Sequence, residues 1–127
     1  MPKDRPVDRP TKRAEYELAF GSRAAERGWG DLRAQARNAL ADAWDYLTRH
    51  PHRFDAARCY QLRGGLASVE VDGLRLAQWQ YKVTGGGRLW YAVQEPHPSN
   101  PKVAGLVVIV LASTGHPNAT DAAKTFR

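Results

Sequence analysis

Cysteine is almost absent from this chain: Cys59 stands alone among 127 residues. A lone thiol excludes an intrachain disulfide and any multi-cysteine metal site, and it suits a reducing compartment. With Tyr60 and Leu62 close by, Cys59 reads as a small core residue. Long apolar runs are missing too, since the stretch 106–112 is far shorter than the ~20 residues a membrane helix needs. The N-terminus is basic and lacks the apolar stretch of a signal peptide. The expectation is a cytoplasmic protein that stays off the membrane. His50 and His52 flank Pro51 without a clustered cysteine or carboxylate, so neither a metal nor a cofactor is expected.

Carboxylates are in the minority. Thirteen Asp and Glu face nineteen Lys and Arg, for a net charge of +6 and a pI near 9.8. That imbalance favours an anionic partner, either nucleic acid or an acidic protein. The 43% apolar content is ordinary for a globular chain, and this length supports one compact core.

Residues 1–13 hold three prolines, five basic residues and two aspartates, and read as a mobile basic arm. A single domain is expected over 14–127. Tyr16, Leu18 and Phe20 alternate with polar residues, which predicts a half-buried strand. Ser22 suits the cap of a short helical turn through Arg27, which Gly28-Trp29-Gly30 interrupts. Asp31 then caps a longer helix over 32–49, with Leu32, Ala36, Ala39, Leu40, Ala43 and Leu47 on one stripe. Arg33 and Arg37 lie off that stripe and read as solvated surface. His50-Pro51 stops the helix.

A polar connection covers 51–57, and 58–62 is extended before Arg63-Gly64-Gly65 turns the chain. Between 69 and 83 the apolar parity breaks around Asp72-Gly73, which predicts two strands or one strand with a bulge. Strands follow over 88–95 and 105–113, the last one apolar throughout and therefore central, with a helix covering one side. The class is α+β, with a small antiparallel-dominated sheet packed against an N-terminal helical pair.

Chemistry concentrates in the hairpin Tyr81-Lys82-Val83-Thr84-Gly85-Gly86-Gly87-Arg88-Leu89-Trp90-Tyr91 and in the last strand, which runs into Thr114-Gly115-His116-Pro117-Asn118. Three glycines permit a tight reversal through positive φ, bringing Lys82 and Arg88 close on paired strands. No Lys-Ser or Lys-Thr follows the glycines, so this is not a Walker loop. Two fixed cations beside an imidazole suit a phosphodiester, which makes RNA the leading substrate. Trp29, Trp44, Trp79 and Trp90 read first as packing residues.

In order and spacing these landmarks resemble the RelE/ParE superfamily of toxins from bacterial toxin–antitoxin systems. They comprise a strand and helical pair, Leu62-Arg63-Gly64, the strand carrying Lys82, the turn into Arg88-Leu89-Trp90-Tyr91, and an apolar strand ending at His116. The resemblance covers about 14–120 and implies a RelE-like fold, ribosome-dependent cleavage of messenger RNA, and neutralisation by a cognate antitoxin with an acidic segment. The implied chemistry is metal-free: a base activates the RNA 2′-hydroxyl, which attacks its own phosphorus and leaves a 2′,3′-cyclic phosphate. Arg88 would brace the phosphate through two oxygens, with Lys82 and Arg63 adding positive field. His116, whose free pKa is ~6.5, suits proton transfer. Trp90 or Tyr91 would stack on a base.

One position departs from the pattern. Some nuclease members carry a carboxylate two residues before the Leu-basic-Gly landmark, where this chain has Tyr60. Asp55 and Glu70 are the nearby carboxylates in sequence. The superfamily also includes gyrase inhibitors without nuclease chemistry, which stand as the alternative, and a non-catalytic RNA-binding protein is a third reading.

Overall fold

Residues 4–115 are described by the computed structural model of the chain. His116, expected at the site, lies outside them. The elements run β1 (Tyr16–Phe20), α1 (Arg23–Gln35), α2 (Arg37–Arg49), β2 (Cys59–Gln61), a 3-10 turn (Gly64–Leu66), β3 (Ser68–Val71), β4 (Leu74–Ala77), β5 (Trp79–Lys82), β6 (Arg88–Gln94) and β7 (Gly105–Ser113). Five strands form one mixed sheet in the order β1-β7-β6-β5-β2, while β3 and β4 pair separately. β1 runs parallel to β7, from Tyr16 opposite Gly105 to Phe20 opposite Ile109. The other pairs in the sheet are antiparallel. The result is a small α+β fold.

Both faces of the sheet are covered. On one, Leu32, Leu40, Ala43 and Leu47 from the helices meet Cys59, Trp79, Tyr81, Leu89, Tyr91, Val107 and Ile109. On the other, Trp90, Ala92, Val110 and Leu111 pack under Val69, with Leu62, Leu66, Val71 and Leu76 around them. β7 can supply both Val110 and Leu111 to this second cluster because a bulge pairs Trp90 with Leu111 and Tyr91 with Ile109, leaving Val110 over. Two-sided burial explains the unbroken apolar run of β7, which lies inside the sheet between β1 and β6.

The helices divide differently from the sequence expectation. Ser22 does cap α1, its hydroxyl accepting the Ala25 N–H at 3.1 Å. The helix then continues straight through Gly28-Trp29-Gly30. At Gly28 the helix lies so close to β7 that an added Cβ would sit 1.9 Å from the Ala112 carbonyl oxygen. Packing against the sheet thus outweighs glycine's weak helix propensity. Asp31 lies inside α1 and caps nothing there. The break falls at Ala36, with φ −147° and ψ 62°, whose side chain offers no capping group. Arg33 and Arg37 are exposed, as their place off the apolar stripe predicts.

The parity break in 69–83 resolves into three strands. Asp72 (φ 50°) and Gly73 (φ 80°) make the β3–β4 turn, both in the left-handed region that a two-residue hairpin favours. Gln78 then hands the chain from one sheet to the other: its N–H donates to Ala67 and its carbonyl accepts from Leu62. The segment expected as a mobile arm is anchored at Arg9, which makes two hydrogen bonds of 2.9 and 3.0 Å to the Glu15 carboxylate. The Lys12 N–H adds a third at 2.8 Å.

Two measurements check these packing statements. Gly28→Ala is expected to lower unfolding free energy by about 2–3 kcal/mol, because the helix must lift off β7. Gly30→Ala, with nothing within 4 Å of its added methyl, is expected to gain ~0.5–1 kcal/mol in the same denaturant titration. Glu15 supplies a pH test. The Arg9 guanidinium and the Lys12 N–H hold its carboxyl below the ordinary 4.5. Its stabilisation is therefore full above that value and is lost as pH falls through the lowered one. Glu15→Gln is expected to flatten this acid limb in thermal melts between about pH 5 and 2, and an unchanged limb would reject the anchor.

Candidate functional site

The hairpin that joins β5 and β6 is built around its own arginine. Lys82 lies opposite Arg88 in the register, on the sheet face turned away from the helices. The turn closes through Val83 N–H to Gly87 O at 2.9 Å and Gly87 N–H to the Thr84 hydroxyl at 2.7 Å. Arg88 folds back into it, Nη1 donating to the carbonyls of Thr84, Gly85 and Gly87 at 3.0, 3.2 and 3.0 Å. Its residue exposure is 5%. A phosphate contact through Nη1 would require that nitrogen to leave the carbonyls, so Arg88 acts on this face first as the brace of the turn.

Gly86 and Gly87 are used for room rather than for positive φ, while a Cβ on Gly85 would meet nothing within 4 Å. None of Gly85, Gly86 and Gly87 lies in the left-handed region. A Cβ on Gly87 would meet the Thr84 hydroxyl at 2.8 Å and Leu32 of α1 at 2.9 Å, and one on Gly86 would meet the Thr114 carbonyl at 3.1 Å. The turn is therefore seated between α1 and the end of β7. There the Ser113 hydroxyl donates to the Gly115 carbonyl at 2.8 Å and accepts the Gly115 N–H at 3.2 Å. The chain thus reaches residue 115 beside the glycine turn.

From Lys82 a polar chain crosses three strands. Lys82 Nζ stands 5.4 Å over the Tyr60 ring, a cation–π contact. The Tyr60 hydroxyl accepts from Gln80 Nε2 at 2.8 Å, and Gln80 Oε1 accepts from Trp90 Nε1 at 2.8 Å. Tyr60 is thereby held in position by buried Gln80, which buried Trp90 fixes in turn. Asp55 organises its own loop, accepting the Ala57 N–H at 3.0 Å. Glu70 is exposed on β3, opposite Arg75.

Arg63 is exposed and lines a groove of about 730 Å³ with Phe54, Ala56, Tyr60, Gln61, Leu62 and Trp79. Phe54 is 68% exposed. Sequence reasoning passed over this residue because it sits in a polar connection. Its signal was a large apolar side chain isolated between Arg53 and Asp55, three residues after Pro51.

Tyr91 is elsewhere. It is fully buried on the helix side, its hydroxyl donating to Pro51 O at 2.6 Å and lying 3.0 Å from Cys59 Sγ. Burial, reinforced by Cys59, pushes its phenol far above the ordinary value of 10.0. This corrects the expectation of Tyr91 as a base contact: neither face of its ring is open. Trp90, 2% exposed, is equally closed. Cys59 is a core residue, and burial raises its thiol as well.

A separate cluster gathers at Glu95, at the other end of the sheet. The Tyr16 hydroxyl donates to Glu95, and His52 Nε2 lies 3.5 Å from the same carboxylate. Burial first, then Glu95, pushes Tyr16 up to about 12. Among the described residues no group of three or more His, Cys, Asp or Glu could hold a metal ion, and no helix is long and apolar enough to cross a membrane.

The core placement of the Tyr91–Cys59 pair is open to direct measurement. Tyr91→Phe is expected to lower stability by about 1–3 kcal/mol, since the Pro51 carbonyl loses its buried donor. Cys59 is expected to resist a thiol reagent in the native protein and to react fully in denaturant. Rapid native labelling would reject the buried assignment.

No protein-family model matches the chain, and no curated protein or solved structure matches it either.

Proposed function

We propose that this chain is a toxin of RelE/ParE type, an endoribonuclease that cleaves messenger RNA on the ribosome and is neutralised by an antitoxin with an acidic segment. The observation that carries the reading is the hairpin pair of Lys82 and Arg88, seated beside the end of β7, from which the chain runs on to Gly115, the residue before His116 in the sequence. The order of elements supports it: a strand and two helices come first, then antiparallel strands, with the apolar strand last and returning beside the first. The net charge of +6 supports an RNA partner and an acidic inhibitor alike.

In the proposed reaction a base takes the proton of a ribose 2′-hydroxyl, and that oxygen attacks the adjacent phosphorus. The bond to the 5′-oxygen breaks, an acid protonates that oxygen, and the products are a 2′,3′-cyclic phosphate and a 5′-hydroxyl. His116 carries protons. Lys82 supplies charge to the phosphoryl oxygens as they become more negative, Arg63 adds positive field further along the bound strand, and Arg88 keeps the turn in shape and adds fixed positive charge near the scissile phosphate. Tyr60, in the place of a carboxylate, positions Lys82 by offering its ring face.

A second reading, non-catalytic RNA binding, is favoured by the three turn carbonyls on Arg88 Nη1 and by Tyr60. In-vitro translation of a defined message, followed by primer extension, separates the readings. Wild-type protein is expected to cut within codons, His116→Ala to lose about 10²–10⁴ of the rate, and Lys82→Ala and Arg63→Ala to lose about tenfold or more. Salt-sensitive binding of an intact message would select the RNA-binding reading. An intact message, unaffected translation and inhibited gyrase supercoiling would select the gyrase alternative.

A further inference from the structure

The exposed aromatic in the groove beside β2 has no role in the chemistry above. Phe54 leaves most of its ring in water, at 68% exposure, on a loop otherwise polar. Next to it stand Tyr60, half-buried and fixed by Gln80, and Trp79. An apolar wall with a few fixed polar groups is the usual make-up of a small-ligand site, and about 730 Å³ lies in the usual range of ~300–1,000 Å³.

The charges around the groove select the occupant. Arg63 lines it directly, and Lys82 Nζ approaches the Tyr60 ring. Lys82 is level with Arg58, whose carbonyl accepts its N–H. Arg63 lies five residues further along that strand direction, on the order of 16 Å at ~3.3 Å per residue. A strand of nucleic acid laid along β2 therefore meets a cation on either side of an aromatic pair. Asp55, on the same loop, has its carboxylate turned to the Ala57 N–H. Aromatic faces between cations are how single-stranded nucleic acid is held without reading its sequence.

We propose that the groove over the β2 edge binds an unpaired base of single-stranded RNA, stacked on Phe54 and Tyr60, with the flanking phosphates on Arg63 and Lys82. This rests on RNA being the partner, and it adds a subsite outside the glycine turn. Because β2 is an edge strand, a base enters from the open side without displacing any part of the sheet.

Fluorescence anisotropy with a labelled RNA hexanucleotide tests it, alongside the same RNA carrying one central abasic site and the free nucleoside monophosphates UMP and AMP. With the full chain, Phe54→Ala is expected to weaken hexamer binding about tenfold while leaving the salt slope unchanged. Phe54→Trp is expected to restore it. The abasic RNA is expected to bind wild type about tenfold more weakly and to bind Phe54→Ala no more weakly than the intact hexamer does. Arg63→Ala is expected to reduce the salt slope by about one. Phe54 is largely exposed, so its variants are expected to melt with the wild type, and circular dichroism checks this. If wild type binds the hexamer and Phe54→Ala binds both RNAs as wild type does, the subsite is overturned while the RNA reading stands. If wild type binds neither RNA, both fall together. Monophosphates that bind as tightly as the hexamer would overturn the strand in favour of a free nucleotide.

Discussion

The seat of α1 on β7 is the constraint from which the rest of the molecule follows. Gly28 brings the helix backbone so near the Ala112 carbonyl that no Cβ fits between them, and one helical turn later Leu32 reaches the glycine hairpin at Gly87. Side chains four residues apart lie on one helix face, so the helix touches the strand and the turn with the same stripe. The hairpin is consequently clamped from outside as well as by its own hydrogen bonds. Any shift of α1 away from the sheet would release the turn, and with it the relation between Lys82, Arg88 and the end of β7.

Burial on both faces of the sheet then decides which side chains remain for function. Along β6, Arg88 to Ala92 are all buried. The helices take Leu89 and Tyr91, and the far-side cluster takes Trp90 and Ala92. Aromatic residues in the middle of the sheet therefore serve packing, and their polar atoms find internal partners: Tyr91 on Pro51, Trp90 on Gln80. What is left open lies at the sheet's margins, where half-buried Tyr60 on the β2 edge adjoins exposed Phe54 and Arg63 and where the glycine turn meets the end of β7. Function is displaced outward because the interior is full.

The polar chain from Trp90 through Gln80 to Tyr60 links these two regions. It carries the rigidity of a buried hydrogen bond outward to a half-buried ring, and that ring faces Lys82. A cation over a fixed aromatic face keeps a defined position, which a lysine on a bare strand edge lacks. Fixed positive charge costs less reorganisation when an anion arrives than a mobile side chain does. The same ring forms part of the groove wall, so one residue serves both the charge and the apolar surface.

Alternation and turn chemistry made much of the architecture legible in advance. The strand at Tyr16, the Ser22 cap, the stop at His50-Pro51, the Asp72-Gly73 turn and the buried β7 all follow from local periodicity, φ preference and proline. Those properties belong to a few adjacent residues, and the basic hairpin with Lys82 opposite Arg88 was readable for the same reason. Three features were not local. The helix passes through Gly28 because of a strand over eighty residues away. Gly87 and Gly86 of the turn are required by Leu32 and Thr114, rather than by their own torsions. Tyr91 is closed and Phe54 is open because of which surfaces lie over each, and residue type does not encode that. The sequence by itself determined where helix gives way to strand, the order of these regions and the positive charge, though neither where the two helices divide nor that 69–83 holds three strands. The tertiary structure alone decided which cation braces a turn, which aromatic faces water and where a groove opens, because exposure and hydrogen-bond partners depend on contacts between segments far apart in the chain.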